Sequence, residues 1–139
     1  MSIAGIRREP IEYADASPEV RAVYDDIMAT RHTDWVNNYW KVLAHDPPTL
    51  QRMWANAKQV MGPGAIDPLG KELIYLAVSM SNGCRYCIAS HSAAARGKGL
   101  TEQQLSELIA IVGLANETNR HAFALDLAVD EQFRPEVHV

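Results

Sequence analysis

The sequence predicts an all-α fold, and three observations carry that prediction. A helix-capping residue followed by proline recurs along the chain, at Ser17-Pro18, Asp46-Pro47 and Asp67-Pro68. Apolar residues then repeat at helical spacing after each such pair. No short run alternates cleanly between apolar and polar residues with hairpin turns at its ends, so no strand is expected. About six to seven helices account for the chain.

The first 16 residues lack helical spacing and read as an extended N-terminal arm or strap. Ser17 caps the first helix, with Pro18 at its first position and Glu19 beside it, where an acidic residue suits the helix dipole. Val20, Val23, Tyr24, Ile27 and Met28 share one face of it, to about Arg31. Val36, Tyr39, Trp40 and Leu43 form a second apolar face, which Pro47 and Pro48 end. Asp46 caps a third helix with Leu50, Met53, Trp54, Ala57 and Val60 inward, stopped by Gly62-Pro63-Gly64. Asp67 opens the fourth, which carries Leu69, Leu73, Leu76, Ala77 and Met80 and breaks at Asn82-Gly83. A fifth runs from about Cys84 to Arg96, ahead of Gly97 and Gly99. Thr101 and Gln104 form a capping box for a sixth, with Leu105, Leu108, Ile109 and Val112. Gly113 and Asn116 mark a weak break, and a last helix is expected over about Glu117 to Val129, with His121, Leu125 and Ala128 on one stripe.

Composition narrows the function. The 139 residues are enough for one domain with its own core, and 47% hydrophobic against 22% charged residues is a globular balance. Thirteen Lys and Arg against 17 Asp and Glu leave a net charge of −4. Nucleic acids and anionic membranes both need a basic footprint, so neither is an expected partner. The longest apolar runs, such as Leu73 to Val78, fall far short of the ~20 residues that span a bilayer. Arg7 and Arg8 have no apolar stretch behind them, so no signal peptide is read and the expected location is cytoplasmic.

Cys84 and Cys87 are the two cysteines, and they lie too close together to staple a fold. They are either a redox pair or half of a metal site. At about 100° per residue, Cys84, Cys87 and His91 fall on one helix face on successive turns. Asn82-Gly83 puts Cys84 at or just before the first turn, where unpaired N–H groups and the helix dipole favour a thiolate. Lowering a thiol pKa from ~8.5 to ~7 raises the thiolate fraction at pH 7 from a few per cent to about half. His91 is placed to take the thiol proton or return it to a leaving group. Glu72 interrupts the apolar stripe between Leu69 and Leu76. Desolvation there is expected to raise its pKa towards neutrality, so that it can serve with His91 as a proton relay.

Glu72, Cys84, Cys87 and His91 stand at Glu-x11-Cys-x2-Cys-x3-His spacing. With the surrounding helices, over about Pro47 to Asp130, this resembles the AhpD-like alkylhydroperoxidase family within the carboxymuconolactone decarboxylase superfamily. The resemblance implies an all-α domain, here the single domain 1–139 with its core at about 47–130. It implies assembly as a homotrimer or homohexamer through apolar helix faces. It also implies a thiol-dependent peroxidase or disulfide reductase that needs no cofactor, with an organic hydroperoxide as substrate and a dithiol or disulfide reductase as electron donor. By the same analogy Cys87 is the peroxidatic thiol, Cys84 the resolving one, and His91 and Glu72 move the proton. Electrostatics alone would make Cys84 the more acidic thiol, since it lies nearer the helix end. Some peroxidase members carry a second His between the cysteines. Here that position is Tyr86, which shifts weight from peroxidase towards general disulfide reductase.

Other readings compete. Cys84, Cys87 and His91, completed by Glu72 or His45, would make a tetrahedral zinc site, although no second ligand pair stands elsewhere in the chain. A non-redox, carboxymuconolactone decarboxylase-like enzyme or a binding protein would keep the fold and leave the thiols as bystanders. Trp35, Trp40 and Trp54 with Tyr39 read as core or subunit-interface residues, with Trp54 and Tyr86 the candidates for a substrate-pocket wall. The Trp-bearing second and third helices look too apolar for a monomer to hide. His45 reads as a helix C-terminal residue and His121 as a satisfied core histidine; His32 and His138 have no comparable partners.

Overall fold

In a computed structural model that describes residues 5–134, the chain forms six α-helices: α1 (Pro18–Arg31), α2 (Asn38–Leu43), α3 (Pro47–Met61), α4 (Pro68–Asn82), α5 (Arg85–Gly97) and α6 (Glu102–Ala124). Two short 3-10 turns, Tyr13–Asp15 and Glu131–Phe133, flank them, and no strand occurs among the described residues. The all-α expectation is met. The chain divides into two compact units on either side of the Gly62/Pro63 bond.

In the first unit, α1 and α2 pack on α3. Tyr24, Ile27 and Leu50 are fully buried, and Val20, Trp40 and Trp54 complete the core around them. The caps read from sequence are made: the Ser17 side chain accepts from the N–H of Val20, and that of Asp46 from Thr49. The described part of the arm lies along this unit as a strap. Ile11 N–H donates to the carbonyl of Lys41, Tyr24 Oη donates to the carbonyl of Ile11 at 2.9 Å, and Lys41 pairs with Glu12. Burial pushes the Tyr24 hydroxyl up to about 12, so it stays a donor throughout the ordinary pH range. His45 donates from Nε2 to the Glu9 carbonyl, 2.8 Å away, so it ties down the strap at the end of α2.

In the second unit, α4 pairs with both α5 and α6. Leu76, Ala95 and Leu100 are its buried apolar residues, with Leu69, Leu73, Met80, Leu105 and Leu108 packed against them. Asp67 caps α4, and the Thr101–Gln104 capping box opens α6. The last two expected helices are one. The helix passes through Gly113 and Asn116 without a break, because the side chain of Asn116 bonds back to the Val112 carbonyl and across to Ser81 Oγ on α4. The helix then ends at Ala124, short of Val129. His121 is exposed, 4.0 Å from Glu117 one turn earlier, and is no core histidine.

The surplus apolar surface also differs from the expectation. Trp40 and Trp54 are buried, with Trp35 alone of the three exposed. Tyr39 on α2 and Val60 on α3 stay exposed, but α4 (Ile74, Val78) and α6 (Ile109, Ile111, Leu114) also leave large apolar residues open, and α6 has no buried residue along its length.

Candidate redox site

The site is built at the α4–α5 turn. Gly83 closes α4 with φ +69°, a left-handed conformation that glycine adopts without a Cβ clash. That turn lets the N–H of Cys84 reach back to the Ser79 carbonyl at 3.0 Å, and α5 starts at once. Cys84 is the N-cap of α5, and its sulfur accepts from the N–H of Cys87 at 3.3 Å. The two sulfurs are joined as a disulfide with Cα atoms 5.4 Å apart, spanning the first turn of the helix. Both cysteines are half-buried.

One turn past Cys87, the His91 ring is held from two directions by α4. Its Nδ1 lies 2.6 Å from Glu72 Oε2, and Tyr75 stacks on its face with centroids 3.6 Å apart and planes 20° from parallel. Glu72 is 3% exposed. Its other oxygen, Oε1, accepts from Lys98 Nζ at 2.5 Å, just beyond the end of α5. Packing of α4 on α5 is what lets residues 72, 91 and 98 meet.

This arrangement corrects the expected state of Glu72. Burial does push its pKa up, but hydrogen bonds from His91 and Lys98 and the Lys98 charge outweigh it, leaving the carboxyl below its ordinary value. Glu72 is therefore a fixed carboxylate and is not poised near neutrality. A carboxylate only accepts, so Nδ1 of His91 carries the hydrogen and Nε2 is the nitrogen left to exchange a proton.

Sequence reasoning missed Tyr75 and Lys98. Tyr75 lies one turn from Glu72 on α4, so helical spacing held a signal for it, whereas Lys98 meets Glu72 only through the packing of α5 on α4. Of the pocket-wall candidates, Tyr86 is in the first turn of α5 with its side chain partly exposed. Trp54 is buried in the first unit, donating from Nε1 to Asp26 at 2.7 Å while its ring meets Trp40 edge-on. Among the described residues no group of three or more His, Cys, Asp or Glu side chains is gathered to hold a metal ion. At this site the two sulfurs are bonded to each other and His91 Nδ1 is committed to Glu72. No helix among the described residues is long and apolar enough to cross a membrane.

Comparison with known proteins agrees with the fold and the spacing. The model of the carboxymuconolactone decarboxylase family matches residues 47–130. Alkyl hydroperoxide reductase AhpD of Anaeromyxobacter dehalogenans is 32% identical over 124 residues, covering 83% of this chain and 62% of that protein. AhpD of Azorhizobium caulinodans is 40% identical over 102 residues, covering 70% of this chain and 56% of that protein. The chain thus spans less than two thirds of the length of these relatives. Among solved structures, the alkylhydroperoxidase AhpD core from Rhodospirillum rubrum is 51% identical and superposes with a TM-score of 0.87, covering 95% of this chain and 98% of that one. The chain is an AhpD-like member of the carboxymuconolactone decarboxylase family.

Proposed function

We propose that this chain is a thiol-dependent peroxidase and disulfide reductase that works through Cys84 and Cys87. The observation that carries the reading is a disulfide across the first turn of α5 with a carboxylate-anchored histidine one turn further along. In the reduced protein the Cys87 thiolate attacks the terminal oxygen of an organic hydroperoxide. An S–O bond forms, the O–O bond breaks, and the alkoxide leaves. His91 takes the thiol proton at Nε2 and returns it to the alkoxide, giving an alcohol. Cys84 then attacks the Cys87 sulfenic acid, whose hydroxyl leaves as water with the Cys84 proton, and the disulfide closes. Two electrons have passed from two thiols to one hydroperoxide. A dithiol donor restores the pair by attack on Cys84, releasing Cys87.

Glu72 acts in this scheme as an anchor for His91 and does not itself carry the proton. The names of the relatives and of the solved neighbour support the peroxidase chemistry. The Tyr86 substitution keeps disulfide reduction beside it as the same site's second use. A dithiol cycle suits a reducing compartment, so the cytoplasm is the proposed location. Assembly as a homotrimer or homohexamer, through the open apolar faces of α4 and α6, belongs to the same proposal.

The test is consumption of an organic hydroperoxide with a dithiol reductant. Cys87→Ser should abolish turnover. Cys84→Ser should still consume about one equivalent of peroxide and stop at a trappable sulfenic acid on Cys87. Full turnover by Cys87→Ser sinks the assignment, as does mapping of the first oxidised sulfur to Cys84 by mass spectrometry after substoichiometric peroxide.

A further inference from the structure

Glu72 is one buried carboxylate with two nitrogen partners, His91 on one oxygen and Lys98 on the other. A carboxylate removed from water needs a compensating positive charge. If His91 had to supply it, the imidazole would be held doubly protonated and would be a poor base. The Lys98 ammonium sits on the oxygen that His91 does not use, and its side chain is about one-third exposed, so water helps to keep it charged. We propose that Lys98 is a positioning residue of the proton path: it supplies the counter-charge for Glu72, so that His91 can donate Nδ1–H to the carboxylate while neutral and keep Nε2 available for the thiol proton.

The other charged groups nearby do not offer this service. From α4, Glu72 and Tyr75 are the titratable groups against His91, and Lys71 points its Nζ towards Gly64. On α5, Arg96 is engaged by Glu102 of α6, and Arg85 stands in the first turn beside the cysteines. Lys98 is the cation in contact with Glu72.

The role of Lys98 as a part of a peroxide cycle rests on the function proposed above, whereas its effect on His91 does not. The test separates the two. In the oxidised protein, labelled with nitrogen-15, the His91 ring signals are followed against pH. In Lys98→Met, and in Lys98→Gln, which keeps a donor and removes the charge, the ring should remain doubly protonated to a pH about one unit higher than in the unsubstituted protein. Lys98→Arg should restore the original titration. In peroxide turnover the acid limb of the pH profile should move up by the same amount in Met and Gln and return in Arg. His91 titrations that overlay in folded Lys98→Gln and unsubstituted protein would overturn the inference. If Lys98→Met does not fold, the Gln and Arg variants decide alone. A shifted His91 titration in a protein that turns over no peroxide would uphold Lys98 and defeat the peroxidase reading instead.

Discussion

Glu72 shows how one residue can read correctly by position and wrongly by charge. Its place in the apolar stripe of α4 does mark it as buried. What the stripe does not show is Lys98, which lies 26 residues on and meets it only after α5 has packed on α4. Local spacing finds the His91 partner through the known Glu-to-His interval, but the cation that decides the protonation state is a tertiary fact. A stability consequence follows. The folded carboxyl lies below its unfolded value, near 4.5, so its contribution is present above that value and fades as pH falls through it towards the lower folded one. Glu72→Gln should therefore cost about 1–3 kcal/mol in urea unfolding at pH 7, the range for a buried group that loses its charged partners. Near pH 3 the gap between variant and unsubstituted protein should shrink. An equal gap at both pH values would mean that packing, and not charge, is what Glu72 contributes.

At the scale of the element, the local signals worked where they rest on short-range chemistry. Ser17, Asp46, Asp67 and Thr101 all cap the helices they precede, because a side-chain oxygen and an N–H three residues on need nothing from the rest of the fold. Cys84 belongs with them, as a cap whose acceptor is sulfur. The break expected at Gly113 failed for the opposite reason. A glycine lowers helix propensity by about 1 kcal/mol, and contact with α4 through Asn116 and Ser81 is enough to carry α6 across it. The left-handed turn at Gly83 is a different case, since that residue needs its positive φ and Gly113 does not. A Cβ built at Gly113 meets nothing within 4 Å. Gly113→Ala should thus stabilise the protein by about 0.5–1 kcal/mol, seen as a higher urea midpoint with an unchanged slope. A lower midpoint would mean that the glycine face of α6 is closely covered in the assembled protein.

At the scale of the whole molecule, the unmet demand is apolar area. The first unit buries Tyr24, Trp40 and Trp54 in one core, while the second has three buried hydrophobic residues and leaves large apolar side chains of α4 and α6 open. The sequence signalled a surplus but assigned it to the Trp-bearing helices, because amphipathic spacing says which residues share a face and not which face finds a partner. That the 139 residues act as one domain is likewise a proposal, and the family match at 47–130 runs through the division between the two units. Ile111 and Leu114 are 62% and 63% exposed on α6, and Val78 is 55% exposed on α4. Large apolar side chains left this open on a water-facing helix are a mark of an interface when they lie together. If copies of the chain associate there, replacing one of these side chains by a charge should remove an interface hot spot, worth at least ~2 kcal/mol or about 30-fold in affinity. Leu114→Glu, checked by light scattering on eluting protein, should shift the chain from a trimer or hexamer towards monomer. Trp35→Glu, at an exposed apolar residue of the first unit outside these helix rows, should leave the assembly intact. A chain that is already monomeric, or a Leu114→Glu variant with unchanged mass across the concentration series, would remove α6 from the interface.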